Sequence, residues 1–362
     1  MPDSADSISD IDTLQQRKKE GIRIPLTKDV QAKTSSNYLE YVKLIHNALP
    51  ELDYDGIETS CTFLNRRLGA PIMIDSMTGG TPDAIKINSR LGQLAEKYGI
   101  AMGLGSQRAG LRSAALAETY SVARSAAPNA FLIANIGGAQ LSKGLSIDEI
   151  NSMIEMIKAD ALAIHLNPLQ ELVQPEGEPK YKGVLARIKE IVKVIDVPVI
   201  VKEVGAGISK EVAKNLENAG VAAINIAGHG GTSWAGVEKL RAELAQNAIK
   251  TKIGELFWDW GIPTALSLIE VRNAVRLPLI ASGGIRNGLE VAKCIVLGAN
   301  VCAMAYPFLK KADESLENLL LFTETLVAEL KSTMFLVGAQ TIEELKVSRY
   351  TVTGNLKEEI SQ

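Results

Sequence analysis

The chain has 362 residues, 46% hydrophobic and 22% charged, with a formal net charge of −3. That balance supports a packed core and leaves no basic block of the kind nucleic-acid binding requires. No apolar run is long enough to span a bilayer. The polar, acidic start "MPDSADSISDIDT" has no signal-peptide pattern, so a cytoplasmic setting without membrane insertion is expected.

Residues 1–13 are expected to be disordered. Residues 14–70 form an N-terminal extension with a basic opening, "QQRKKEGIRI", a predicted helix around Tyr38 to Leu49, and short strands before Pro71. From residue 71 a pattern recurs: a short apolar run ends in glycines and polar residues. It appears as "APIMIDSMTGG", "GIAMGLGSQR", "AFLIANIGG" and "ADALAIHLN", then as "VPVIVKEVG", "GVAAINIAGHGG", "LPLIASGGIRNG" and "ANVCAMAYP". Near-continuous apolar runs fit parallel strands buried on both faces. Between them, "PDAIKINSRLGQLAEKYG" and "SKEVAKNLENAG" show helical recurrence of apolar residues and end in Gly. Eight such units predict an α/β fold, a (β/α)8 TIM barrel over 71–347 with closing C-terminal helices, and a loose tail at 348–362. A doubly wound open sheet is the rival; it needs a topological switch point and usually has fewer strands. Residues 228–265 form an unusually long connection, which in compact domains is usually functional or mobile. Cys61, Cys294 and Cys302 show no metal-ligand spacing and are expected to be inert thiols.

Barrel active sites lie at the C-terminal ends of the strands, and these ends are polar. They offer Ser76, Met77 and Thr78; Ser106, Gln107 and Arg108; Asn135; His165, Asn167, Gln170 and Glu171; Lys202 and Glu203; His229 and Thr232; Ser282 and Arg286. Gly283 and Gly284 precede a helix after the seventh strand, and Ala305 and Tyr306 follow the eighth, where barrels often cradle a phosphate. No GxGxxG opens a strand–helix unit, which argues against a dinucleotide site and for a mononucleotide such as FMN. Lys202 closes an apolar strand. It is either a snorkelling rim ammonium or a cation beside the flavin ring. Glu171 could hold Mg²⁺ together with ligand phosphates, or be a helix-start glutamate. With three histidines and no HxH or HxxxH pairing, zinc is not expected.

Taken together, "RKKE" at 17–20, "HNALPELD" at 46–53, "MTGG" at 77–80, "GSQR" at 105–108, "HLNPLQE" at 165–171, "VKEVG" at 201–205, "GGTSWA" at 230–235, "SGGIRNG" at 282–288 and "MFLVGA" at 334–339 resemble the type 2, FMN-dependent isopentenyl-diphosphate delta-isomerases. The resemblance runs from about residue 15 to 347. It implies interconversion of isopentenyl and dimethylallyl diphosphate by a 1,3-proton shift. Reduced FMN would be the acid–base catalyst, Mg²⁺ would sit on the diphosphate, NADPH would be the reductant, and the protein would be a homotetramer or larger. It implies FMN contacts from Ser76, Met77, Thr78, Ser106, Asn135, Lys202, Thr232, Gly283, Gly284, Arg286, Ala305 and Tyr306. Substrate contacts would come from Arg17, Lys18, Ser106, Gln107, Arg108 and Gln170, and Glu171 would be the metal ligand. Gln170, His165, Asn167 and Lys202 would serve the reacting end. One departure stands out: the family usually places His where this chain has Gly21. Two other readings remain. An α-hydroxy-acid oxidase on the same barrel would want a histidine base followed by an arginine, and no such context occurs here. A binding paralogue without activity has only Gly21 in its favour.

Overall fold

The computed structural model describes residues 4–361. Its centre is a closed parallel barrel whose strands we number β1 Ile72–Ile74, β2 Ala101–Gly103, β3 Leu132–Gly137, β4 Ala161–His165, β5 Val199–Lys202, β6 Ala223–Asn225, β7 Leu279–Ser282 and β8 Val301–Met304. Each strand pairs with the next in the chain, and Cys302 of β8 pairs with Ile72 of β1 to close the ring. All eight strands coincide with the eight apolar runs. The runs are almost purely apolar because both strand faces are covered, by side chains inside and helices outside.

Neighbouring register aligns the strand ends. Gly137 pairs with His165, His165 with Lys202, and Lys202 with Asn225. The polar side chains that finish these strands therefore emerge at one rim. Serine and asparagine caps start the helices that carry the rim loops: Ser233 accepts from Gly236 N–H and Asn287 from Glu290 N–H, each satisfying a first-turn donor that would otherwise lack a partner. At the other end, a hairpin of Cys61–Phe63 and Arg66–Leu68 turns through Leu64 and Asn65, both at positive φ. Phe63 packs edge-on against Phe131, just before β3, and covers the N-terminal end of the barrel.

Three expectations for the flanking segments need correction. The N-terminal helix spans Ser4–Thr27, so residues 4–13 are helical rather than disordered, and 1–3 lie outside the described residues. Ile8, Ile11 and Leu14 already recur at helical spacing there. The helix expected around Tyr38 to Leu49 is only a 3₁₀ turn, Leu39–Tyr41, followed by a strand, Val42–Leu44. The loose tail is ordered for the same reason: Tyr350–Val352 pairs antiparallel with Val42–Leu44, and the helix Gly354–Ile360 buries Leu356. A pairing across some three hundred residues leaves no local trace. The three cysteines are buried and unpaired. No helix among the described residues is long and apolar enough to cross a membrane.

Candidate active site

The C-terminal rim opens into a cavity. Its floor is a polar ring. Lys202 Nζ lies 3.6 Å from Asp75 Oδ2 across the barrel and donates to the Glu203 carbonyl at 2.7 Å. Asn225 donates to both Asp75 oxygens and accepts from Ser282 Oγ at 2.6 Å. Lys202, Asp75, Asn225 and Ser282 are all buried, so the ammonium is held inside the barrel and not released to the rim. Asp75 and Asn225 were not singled out from sequence. The signal was there: each is a polar residue at the end of a buried apolar strand.

His165 stands beside this floor. Its Nδ1 lies 2.7 Å from Asn135 Oδ1, and with that oxygen accepting, Nδ1 carries the proton and Nε2 is left with a lone pair. Burial, with Lys202, Lys18, Arg17 and Arg108 adding positive potential, holds the imidazole pKa down to about 3. The ring is neutral across the physiological range.

The turn after β4 is a small network. Pro168 opens the helix Pro168–Val173 at a position that needs no N–H. Asn167 Nδ2 donates to Gln170 Oε1 at 3.0 Å, and Tyr181 Oη donates to Asn167 Oδ1 at 2.8 Å. Gln170 Nε2 donates to Glu238 Oε1 at 2.9 Å, which fixes which way its amide faces. Glu171 is buried; its Oε2 accepts from Glu178 N–H at 3.0 Å, and its Oε1 has only a long contact of 3.4 Å to Asn167.

The N-terminal helix lies over the mouth. Arg17, Lys18 and Gly21 line the cavity, and Lys18 Nζ donates to the Ser106 carbonyl at 2.8 Å. Burial first, then the charges of Arg17 and Arg108, push the Lys18 pKa well below its ordinary value. Such crowding of cations is what an anionic ligand would relieve.

An adjoining cavity shares Asp75, Val204, Trp234 and Ala305 with the first and is lined by Gly231, Thr232, Gly283, Gly284, Arg286 and Tyr306. Gly283 and Gly284 have φ of 108° and 74°, and a Cβ on them would lie 2.0 Å from the Gly228 carbonyl oxygen and 2.4 Å from that of Gly230. Only glycine permits this backbone-on-backbone approach. The helices Gly288–Val296 and Tyr306–Glu314 begin at this wall. Arg286 is held by Gln31 Oε1 at 2.7 Å with its guanidinium 5.7 Å from the Tyr306 ring centre. Backbone donors, an arginine and two helix starts suit one phosphate, and the shared wall leads to a space for a flat ring. The residues present therefore fit FMN.

Of the residues singled out from sequence, Arg17, Lys18, Ser76, Met77, Thr78, Ser106, Asn135, His165, Asn167, Gln170, Glu171, Lys202 and Ala305 line the first cavity, and Thr232, Gly283, Gly284, Arg286, Ala305 and Tyr306 the second. Gln107, expected on the substrate, is instead fully buried. It donates to the Met153 carbonyl at 2.7 Å and accepts from Asn135 N–H at 3.1 Å, so it supports Asn135 from behind. Arg108 is not in the wall and acts on the site through its charge. Trp234, Glu238, Gln140 and Gln174 line the cavity and were not anticipated; they sit within helices or follow short turns, where no strand end marks them. No group of three or more His, Cys, Asp or Glu that could hold a metal occurs among the described residues. A cation here would rest on Glu171, ligand oxygens and water, as Mg²⁺ commonly does.

Residues 165–352 match the family of FMN-dependent dehydrogenases. The chain is 47% identical to an isopentenyl-diphosphate delta-isomerase of Methanosarcina mazei, covering 97% of this chain and 96% of that one. It is 47% identical to the enzyme of that name from Nostoc sp., over 94% and 96%, and 48% identical to that of Rickettsia bellii, over 91% and 96%. In fold it is similar to a lactate oxidase of Pediococcus acidilactici, TM-score 0.67 at 15% identity over 95% and 94% of the two chains. It is also similar to a mandelate oxidase, TM-score 0.62 at 16% identity over 95% and 100%. The oxidases share the barrel; the near-full-length likeness lies with the isomerases, and the chain belongs to the FMN-dependent isopentenyl-diphosphate delta-isomerase family.

Proposed function

We propose that this protein interconverts isopentenyl and dimethylallyl diphosphate, with reduced FMN in the two joined cavities and Mg²⁺ bound between Glu171 and the diphosphate. The observation that carries this is the meeting of Arg17, Lys18, Gln170, Glu171, His165 and Lys202 around one cavity. The reaction adds a proton to the terminal alkene carbon and removes one from the methylene two carbons away. It has no net redox change, and charge develops on the tertiary carbon between them. Reduced FMN, when bound, supplies an electron-rich ring with acid–base capacity.

The chain's own residues have distinct tasks. Gly283, Gly284, Arg286 and Thr232 would hold the FMN phosphate, and Ala305 and Tyr306 border it. Ser76, Met77, Thr78, Ser106 and Asn135 line the ring space, and Lys202 would meet negative charge on the reduced ring. Arg17 and Lys18 would bind the diphosphate. Gln170, its amide fixed by Glu238 and Asn167, would face the reacting carbons. A neutral His165 adds no positive charge next to a developing cation. The N-terminal helix over the mouth would keep out water, which would capture that cation.

NADPH as reductant, a cytoplasmic setting and a homotetramer or larger assembly belong to the same reading. Exposed Leu244, Ile249, Leu256 and Trp260, on two packed helices and the turn that follows, offer apolar surface for such an assembly. The test is an anaerobic assay with dithionite-reduced FMN, Mg²⁺ and isopentenyl diphosphate, with Glu171→Gln and Lys202→Ala as controls. Dimethylallyl diphosphate should form. No dimethylallyl diphosphate from the FMN-loaded protein, or peroxide from a 2-hydroxy acid in a separate aerobic assay with oxidised FMN, would overturn the proposal.

A further inference from the structure

The cavity walls are tied together by a side chain that does not line them. Arg241, on the helix Trp234–Leu244, has a side chain only 7% exposed. Its three nitrogens each serve a different carboxylate. Nε donates to Glu20 Oε2 at 2.7 Å, Nη1 to Glu238 Oε2 at 2.6 Å, and Nη2 to Glu176 Oε1 at 2.8 Å. Each carboxylate belongs to a different part of the site. Glu20 lies on the N-terminal helix, one turn from Arg17 and Lys18. Glu238 holds the Gln170 amide through its other oxygen. Glu176 lies in the short loop whose next turn places Glu178 N–H on Glu171.

We infer that Arg241 is a positioning residue: one guanidinium fork sets the diphosphate-binding helix, the Gln170 amide and the Glu171 carboxylate relative to one another. A planar, always-charged fork meets three acceptors at fixed in-plane angles, whereas the three donors of a lysine ammonium rotate on a flexible stem. The arrangement also accounts for three carboxylates gathered on one cation. Glu238 is buried, and Arg241 is the cation that meets its charge. The inference rests on the proposed isomerase for its kinetic half. Its binding half needs only an anion with the chemistry of a diphosphate.

The experiment uses the full-length FMN-loaded protein and four variants: Glu20→Gln, Arg241→Lys, Arg241→Gln and the double Glu20→Gln/Arg241→Gln. Glu20→Gln should raise KM for isopentenyl diphosphate about tenfold and leave kcat within about twofold, because it frees only the helix. Arg241→Lys and Arg241→Gln should raise KM similarly and also lower kcat by about tenfold or more, because Gln170 is freed as well. The double variant should match Arg241→Gln in KM, since both changes break one link. Calorimetric binding of magnesium pyrophosphate should weaken in parallel with KM. FMN affinity, for which neither Arg241 nor its three carboxylates has been assigned a contact, should stay within about twofold. Unchanged pyrophosphate affinity in all variants, multiplicative KM effects in the double, or FMN affinity falling as far as KM rises would overturn the role. Weakened pyrophosphate binding in variants of a wild type that does not isomerise would sustain the positioning role and remove the proposed reaction instead.

Discussion

Gly21 faces the cavity from the N-terminal helix, and it offers a direct test of what that helix binds. A Cβ built there meets only the Trp234 ring, at 3.9 and 4.0 Å, so the first atom of a side chain enters in ordinary contact. An imidazole at this point stands one turn from Arg17, on the same lining. One added charge-assisted hydrogen bond to a diphosphate is worth about 1.5–3 kcal/mol, or about 10- to 150-fold in KM. The sign with pH also follows. Nearby cations hold an imidazole below its ordinary pKa of about 6.5, so the gain should be larger at pH 6 than at pH 8. Gly21→Ala is the control; removing glycine from a helix interior stabilises by about 0.5–1 kcal/mol without adding a donor. Steady-state KM for isopentenyl diphosphate at both pH values separates the two effects. If Gly21→His leaves KM where Gly21→Ala does, the helix does not face the diphosphate, and Arg17 and Lys18 lose their assigned role with it.

Three further outcomes are expected. Glu171→Gln keeps shape but removes the anionic ligand, and should raise the Mg²⁺ concentration for half-maximal rate by at least about tenfold; an unchanged Mg²⁺ titration would exclude Glu171 as the ligand. Lys202→Met leaves Asp75 buried beside an uncharged chain, and breaking such a buried pair costs about 3–5 kcal/mol. Urea unfolding should show that loss and its partial recovery in Lys202→Met/Asp75→Asn, whereas additive losses would deny the coupling. His165 has a folded pKa of about 3 against an ordinary 6.5, so the unfolded chain takes up a proton that the folded one refuses, and stability falls as pH drops from about 6.5 toward 3. Glu203, raised to about 6 by burial from an ordinary 4.5, works the other way, favouring the fold at acid pH and fading as pH rises through 6. Denaturation of wild type and His165→Asn between pH 7 and 4 should show a smaller acid loss in the variant, and parallel curves would refute the neutral histidine.

The barrel was legible because each of its eight units repeats a local pattern: an apolar strand, a polar end, then helix. The rim residues were legible for the same reason, since a polar side chain directly after a buried strand has one place to go. What escaped the sequence was non-local. Val42–Leu44 becomes a strand only because Tyr350–Val352 lies beside it, and nothing within either segment announces the other. Gln107 stands at a strand mouth yet turns inward, because Met153 on a neighbouring helix offers it a carbonyl.

The same distinction explains why Arg241 went unnoticed while Gln170 did not. Gln170 sits in a run of unusual composition at a predictable rim, so its chemistry shows in the sequence. Arg241 sits mid-helix in "VEKLRAEL", where charged residues ordinarily face water. Its meaning comes only from three carboxylates brought to it from residues 20, 176 and 238. Sequence motifs thus mark groups that meet a ligand, whereas the groups that aim them are set by packing. The exposures bear this out: Glu238 and Arg241 side chains are 2% and 7% exposed. A surface ion pair of identical composition would contribute about 0–1 kcal/mol and aim nothing. Burial is what turns this cluster from a solvated face into a constraint on the site, and it is burial that a single helix sequence does not record.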